Sequence, residues 1–235
     1  MSSSSFSFTW LGHATFLFQS PGGKRIVIDP WITGNPASPE SAKRLGPLDL
    51  VLVTHGHRDH SNDVISLTRS SGAHVVAPFE LSEWLQGKGL KTVTGMNPGG
   101  TLRMLGMSIT MVPAFHSSSI DEDGATIYLG PATGYVIRFE NALTIYFAGD
   151  TCVFGDMRLI AELYRPTIGF LPIGDVYTMG PEQAAKACEL LAIKQAVPMH
   201  YGTFPELTGT PDAFRALVEP HGVQVLELKP GETAS

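Results

Sequence analysis

Cysteine and net positive charge are both scarce in this sequence, and each shortage excludes a class of protein. Two cysteines, Cys152 and Cys188, occur in 235 residues, which is too few for the disulfide framework of a small secreted domain. The formal net charge of -6 gives no basic surface of the kind that binds duplex nucleic acid. We therefore expect no nucleic-acid partner.

Long apolar runs are missing as well. No stretch approaches the roughly 20 apolar residues that a membrane-spanning helix needs. The N-terminus has neither the basic nor the long apolar part of a secretory signal. These absences predict a cytoplasmic protein without a membrane span. At 43% hydrophobic residues the chain can still bury a large core, and residues 1–235 are predicted to form a single domain of unspecified oligomeric state.

The order of the predicted secondary-structure elements repeats along the chain. Three strand-like runs, at 6–11, 14–18 and 25–28, precede an alternation of strands and helices that reaches residue 87. Five more strand-like runs lie between residues 91 and 147, and helices and strands alternate again from 157 to 228. This repeated order predicts an α/β fold, an αββα sandwich of two mixed β-sheets flanked by helices.

A dense cluster of ligand-type side chains follows the short apolar run at 49–53. It contains three histidines and one aspartate within six residues: His55, His57, Asp59 and His60. Since the run reads as a buried strand, these side chains are expected at the edge of a sheet. Imidazole and carboxylate groups are ligands that suit zinc, manganese and iron. The cluster therefore predicts a metal site.

Three later strand ends add further candidate ligands. His116, Asp150 and His200 each lie just past a predicted strand, with glycine or proline close by. Any one of them alone would more often be a satisfied polar group than a ligand. Together with the cluster they make five histidines and two aspartates, which suit a pair of divalent ions that share one bridging carboxylate.

The order of these motifs along the chain resembles the metallo-β-lactamase superfamily. The Trp10-Leu11-Gly12-His13 and Ile28-Asp29-Pro30-Trp31 segments are similar to a branch of metal-dependent hydrolases that includes L-ascorbate-6-phosphate lactonase. The resemblance implies a first metal ion held by His55, His57 and His116. It implies a second ion held by Asp59, His60 and His200, with Asp150 bridging the two.

The function that the resemblance implies is metal-dependent hydrolysis. A hydroxide bound by two metal ions would attack an ester, lactone or phosphodiester bond of a small-molecule substrate. Asp59 and His13 are the predicted catalytic residues: Asp59 would orient the water, and His13 would donate to the substrate or protonate the leaving group. A purely supporting role for His13 is an equal alternative. Zinc is the favoured metal, and manganese, iron and nickel also suit these ligands.

Two other functions fit the same ligands. One is a non-hydrolytic di-iron redox protein, and the other is a metal-binding module without catalysis.

Residues 117–133, which have weak periodicity and directly follow His116, are predicted to form a loop over the mouth of the site that helps to choose substrates.

Overall fold

A computed structural model describes residues 5–235, in which two seven-stranded sheets face each other. The strands of this part of the chain are β1 (Ser7–Trp10), β2 (Phe16–Gln19), β3 (Arg25–Ile28), β4 (Leu50–Leu52), β5 (His74–Pro78), β6 (Val93–Met96), β7 (Thr101–Met104), β8 (Met107–Pro113), β9 (Ser119–Glu122), β10 (Ala125–Tyr128), β11 (Thr133–Arg138), β12 (Thr144–Phe147), β13 (Ile168–Pro172), β14 (Gln195–Met199), β15 (Gln224–Val225) and β16 (Thr233–Ala234).

Helices connect the strands in the alternating part of each half. They are α1 (Arg58–Ser61), α2 (Val64–Ser71), α3 (Phe79–Gly87), α4 (Met157–Tyr164), α5 (Pro181–Leu191) and α6 (Pro211–Val218), with short 3₁₀ helices at Glu40–Arg44 and Glu219–His221. Two of the starts follow directly from the sequence. Proline occupies the first turn of α5 and α6, where no intrahelical amide is needed. The Thr210 hydroxyl accepts from the amide of Ala213 and caps α6.

Both sheets are mixed in the same way. The first has the order β16-β1-β2-β3-β4-β5-β6, with antiparallel pairing from β16 to β3 and parallel pairing from β3 to β6. The second has the order β15-β14-β13-β12-β11-β8-β7, antiparallel from β7 to β12 and parallel from β12 to β15. The predicted α/β fold with two mixed sheets and helices is thus confirmed.

Aromatic side chains fill the space between the two sheets. Phe8 and Phe16 of the first sheet meet Phe170 of the second with ring centroids 5.1 Å apart in nearly perpendicular contacts. Phe18 makes a similar contact with Phe170, and Phe147 stacks beside it. These rings are almost fully buried, so they hold the sheets at a fixed separation below the edge where the candidate ligands lie.

The segment 117–133 differs from the sequence-based expectation. Residues 119–128 form the hairpin β9–β10, which packs against α3, whereas the hydroxyl of Ser117 lies 3.4 Å from Nε2 of the candidate ligand His57. Glu122 contacts Trp84 of α3 and Lys88, the residue that follows this helix, and Ile120 and Ile127 pack against the core around it. The prediction that the whole segment is a loop was wrong, because the contacts with α3 favour strand pairing over residues 119–128. Its part in choosing substrates stays a prediction.

Two broader predictions concern a membrane span and the number of domains. No helix within residues 5–235 is long and apolar enough to cross a membrane. The single domain over residues 1–235 stays a prediction, and its first four residues lie outside the described part of the chain.

Candidate metal centre

The predicted ligands come together at one edge of the sandwich. β8 and β12 are both antiparallel to β11, so they run in the same direction, and β14 is parallel to β12 through β13. Their carboxyl ends therefore share an edge, which carries His116, Asp150 and His200. The segment after β4 brings the other four candidates, His55, His57, Asp59 and His60, to the same place.

One carboxylate oxygen lies at the middle of this group. Oδ2 of Asp150 is 3.1 Å from Nε2 of His200 and 3.2 Å from Nε2 of His60. Nε2 of His116 lies 3.6 Å away and Nε2 of His55 3.9 Å away. A single oxygen that faces four imidazole nitrogens from both halves of the ligand set is placed as a bridging ligand would be.

Three of the imidazoles form a group of their own. Nδ1 of His57 lies 3.0 Å from Nε2 of His55 and 3.3 Å from Nε2 of His116. Burial lowers the pKa of each of these histidines, most strongly that of His55, so that their rings are neutral near pH 7. Three neutral imidazoles that converge in this way can each offer a lone pair to one cation.

A second group gathers around Asp59. The ligand atoms of His13, Asp59, His60 and His200 all lie within 4.8 Å of one another. Burial alone would raise the pKa of Asp59, but a hydrogen bond from His13 and the charge of His60 hold it well below its usual range. This group therefore combines an ionised carboxylate with imidazoles.

Asp29 fixes the orientation of two candidate ligands from behind. Its carboxylate accepts hydrogen bonds from the amide and the hydroxyl of Thr54, both at 2.7 Å, and from Nδ1 of His60 at 2.8 Å. Because the Thr54 hydroxyl proton points to Asp29, Nδ1 of His55, 2.9 Å from that hydroxyl, must donate to it. Both His55 and His60 then carry their proton on Nδ1, which leaves Nε2 free to bind a metal ion.

The buried polar atoms of the site fit a cation. Nε2 of His60 and Oδ1 of Asp150 are buried and make no hydrogen bond within residues 5–235. Nε2 of His55, which the Thr54 contact leaves unprotonated, faces nitrogens and a carboxylate oxygen. Buried lone pairs in such contact repel one another unless a positive charge lies between them, so the residues present suit divalent metal ions.

His60 and Asp150 shift each other's pKa in opposite directions. Burial alone would lower the pKa of His60, but Asp150 and Asp29 together raise it well above its usual value. His60 and His200 in turn hold the pKa of Asp150 well below its usual range, although burial opposes this.

His13 lies behind Asp59 and is fully buried. Its Nε2 is 3.2 Å from Oδ2 of Asp59, and its Nδ1 is 3.0 Å from the hydroxyl of Thr203. Its backbone carbonyl accepts from the amide of His200 and from the indole of Trp10. Burial lowers the pKa of His13 to about 4, so the ring is neutral near pH 7.

A cavity of about 370 Å³ adjoins the candidate ligands. Its lining consists of candidate ligands and four other residues: His57, Asp59, His116, Ser117, Asp150, Tyr177, His200, Phe204 and Glu206. His13 is not among them. Sequence reasoning did not find Tyr177, Phe204 and Glu206, because no metal-ligand spacing or strand-end position marks them.

Arg58 faces away from the cavity. Its guanidinium donates to the backbone carbonyl of Asp121 in the β9–β10 hairpin. It therefore helps to hold the hairpin beside the cluster, and it neither lines the cavity nor makes an outward salt bridge within residues 5–235.

Comparison with known proteins agrees with this geometry. The sequence profile of the family described as "Beta-lactamase superfamily domain" matches residues 24–201. The chain belongs to the metallo-β-lactamase superfamily.

Relatives within this superfamily place the chain more closely. It is 51% identical over 227 residues to a protein of Rubrobacter xylanophilus named "UPF0173 metal-dependent hydrolase", with 95% of this chain and 94% of the relative covered. A protein of the same description from Koribacter versatilis is 50% identical, with 97% of each chain covered. The chain is thus a member of this family of metal-dependent hydrolases, and the prediction of such an enzyme is confirmed.

A solved structure shows the same arrangement of the whole chain. Igni18, described as a novel metallo hydrolase from the archaeon Ignicoccus hospitalis KIN4/I, superimposes with a TM-score of 0.88 at 38% identity. The match covers 98% of each chain. This superfamily member therefore shares its fold with a metallo hydrolase from end to end. The more specific likeness to L-ascorbate-6-phosphate lactonase stays a prediction.

Proposed function

We propose that the protein is a dinuclear metal hydrolase that cleaves an ester, lactone or phosphodiester bond of a small molecule. The position of Asp150 carries the proposal, because its Oδ2 lies 3.1–3.9 Å from imidazole nitrogens of both candidate ligand groups. His55, His57 and His116 would hold one ion. Asp59, His60 and His200 would hold the other, and zinc remains the favoured metal.

Bound divalent ions supply two effects in such a site: they lower the pKa of water and polarise the oxygen of the bond to be cleaved. The protein residues provide the rest. Asp59 lines the cavity and is ionised, so it can accept a hydrogen bond from the attacking water and orient it. Asp29 and Thr54 keep the proton of His55 and His60 on the nitrogen that faces away from the cavity.

His13 is better placed to orient Asp59 than to touch the substrate. Its side chain is fully buried and does not line the cavity, and its contacts with Asp59 and Thr203 occupy both ring nitrogens. A neutral ring that donates from Nε2 to Asp59 accepts at Nδ1 from the Thr203 hydroxyl. We therefore propose that His13 is a positioning residue, in contrast to the leaving-group acid that the sequence also suggested.

The dinuclear proposal is tested by metal content and turnover together. Elemental analysis of the purified protein should give about two ions per chain, and a panel of lactones, esters and phosphodiesters should contain a substrate. Asp150→Ala should lose both ions because it removes the shared oxygen, whereas Asp59→Ala should lose one. Full activity in either variant would contradict the proposal. A metal-dependent oxidase activity would favour the redox alternative.

The role of His13 is tested by a pair of substitutions. His13→Gln keeps a donor that can reach Asp59, whereas His13→Ala removes it. If His13 orients Asp59, Gln should restore much of the kcat that Ala loses, and the acid side of the pH profile should move upward in the Ala variant as the pKa of Asp59 rises. Loss of the basic side of the profile in both variants would show that His13 is the acid.

A further inference from the structure

The cavity walls beyond the candidate ligands indicate which class of substrate the site accepts. They consist of two aromatic rings, one hydroxyl group and one carboxylate, contributed by Tyr177, Phe204, Ser117 and Glu206. No lysine or arginine from residues 5–235 lines the cavity. The protein therefore offers apolar surface and negative charge around the site where the bond would be cleaved.

Phe204 is a fixed wall. Its ring stacks on Trp31 with centroids 5.7 Å apart and an angle of 25°, and it meets the edge of His13 at 5.4 Å. A ring that is held on its other sides loses little conformational entropy when a ligand packs against the cavity side. Phe204 can thus bind an apolar group without first being ordered.

Tyr177 lies on a turn whose backbone is held under strain. Asp175 and Val176 both adopt positive φ, 68° and 56°, a conformation that is unfavourable for residues other than glycine. The Asp175 side chain accepts from the amide of Val176, and the Asp175 amide donates to the carbonyl of Met179. This turn leaves Tyr177 52% exposed beside the cavity, so its ring is accessible to a bound ligand.

Glu206 gives the cavity a charge preference. It is exposed and lines the cavity, so it would repel an anionic substrate at short range. Sites that recognise phosphate groups ordinarily present arginine or lysine to the non-bridging oxygens. This cavity presents a carboxylate instead.

We propose that the substrate is an uncharged carboxylic ester or lactone whose aromatic or extended apolar group packs on Tyr177 and Phe204, and that Glu206 disfavours anionic phosphodiesters. The inference rests on the proposed hydrolase function. The reaction adds water across the acyl C–O bond: the hydroxyl group joins the acyl carbon, and the proton goes to the leaving oxygen. No oxidant or reductant is needed.

The charge preference is tested with two chromogenic substrates that share a leaving group. Metal-loaded protein is assayed with 4-nitrophenyl butyrate, which is uncharged, and with bis(4-nitrophenyl) phosphate, which is an anion. Glu206→Gln should raise the ratio of kcat/KM for the anion over that for the ester by about threefold to tenfold. The matched control Glu162→Gln removes an exposed carboxylate on α4 and should leave the ratio unchanged.

The aromatic walls are tested by binding, which does not require turnover. Calorimetric titration with 4-nitrobenzyl alcohol, which cannot be hydrolysed, should give a Kd that rises about threefold to tenfold in Tyr177→Ala and in Phe204→Ala. Tyr128→Ala, which removes a 67% exposed ring on the β9–β10 hairpin, is the matched control and should bind as the wild type does.

The outcomes distinguish a wrong substrate class from a wrong proposed function. Turnover without a change in the substrate ratio, or equal binding by the wild type and both aromatic variants, would overturn the substrate class and leave the hydrolase function standing. No turnover on the whole panel by metal-loaded protein would overturn the proposed cleavage of an ester, lactone or phosphodiester bond. In that case the binding titration would still decide whether Tyr177 and Phe204 hold an apolar ligand.

Discussion

Replacing Asp29 with asparagine should weaken metal binding although Asp29 does not face the cavity. The carboxylate accepts three hydrogen bonds at 2.7–2.8 Å, two from Thr54 and one from His60. An asparagine side chain has one oxygen in place of two. If that oxygen keeps the bond from the Thr54 amide, its NH₂ group must face the Thr54 hydroxyl and Nδ1 of His60, which are both donors.

The protons would then have to move to the side of the metal. His60 could accept from the new amide only by carrying its proton on Nε2, the atom that faces Asp150. The Thr54 hydroxyl would turn toward His55 and force the same change there. Each change removes a lone pair from the metal site. Loss of such outer hydrogen bonds typically lowers metal affinity by about 10- to 100-fold, and two mismatched buried donors cost about 2 to 4 kcal/mol of unfolding free energy.

Asp63 provides a matched control. It is also a buried aspartate that accepts three hydrogen bonds, from the amides of Ile32 and Thr33 and from the Thr33 hydroxyl, but it is not among the candidate ligands. Metal affinity is measured by calorimetric titration of the metal-free proteins, and stability by urea unfolding. Asp63→Asn should lose stability and keep its metal affinity. Wild-type affinity in Asp29→Asn, or an equal loss in both variants, would refute the reasoning.

Three further predictions concern stability, each measured by urea unfolding. Gly149→Ala should lower the unfolding free energy by about 2 kcal/mol or more and weaken metal binding, because a Cβ there would lie 2.7 Å from the Thr133 carbonyl oxygen at a φ of +62°. The control Gly99→Ala, with open space around it, should lower the unfolding free energy by about 1 kcal/mol. Equal losses in the two variants would contradict this. Tyr146→Phe should raise the unfolding free energy by about 1 kcal/mol, since the buried hydroxyl has no hydrogen-bond partner within residues 5–235, and a loss would show that a partner exists. Asp49→Asn should lower the unfolding free energy by about 1 kcal/mol at pH 7. Burial alone would raise the pKa of Asp49, but the amide of Arg25 and the ammonium of Lys24 hold it below its usual value. The stability difference between the wild type and Asp49→Asn should therefore disappear as the pH falls through that depressed pKa. A stability difference that does not depend on pH would contradict this assignment.

Local patterns in the sequence determined the fold and the candidate ligands. The strand β3 has the predicted bounds, and helices and strands alternate after residue 157 as predicted. Alternation, apolar runs and proline at a first turn are signals that neighbouring residues carry. The ligands could be predicted for a similar reason. A histidine or aspartate just after a buried strand must lie at a sheet edge, and parallel strands end at a common edge.

Contacts between distant parts of the chain decided the rest. The hairpin β9–β10 depends on Glu122 meeting α3, more than thirty residues earlier in the chain, and the weak periodicity of its own residues did not reveal it. The place of His13 behind Asp59, and not in the cavity, follows from its contact with Thr203, which lies 190 residues later in the chain. Such contacts depend on how the two sheets are brought together, which no short stretch of sequence specifies.

The same division holds within the site. Residue types and strand ends in the sequence predicted which seven side chains would gather, but only the tertiary structure placed Oδ2 of Asp150 among four imidazoles. Likewise, only the structure brought Tyr177, Phe204 and Glu206 to one cavity, because they come from loops whose positions depend on the rest of the molecule. The residue types in the sequence determine which groups can bind a metal ion. The shape and charge of the cavity arise from packing between segments that are far apart in the sequence.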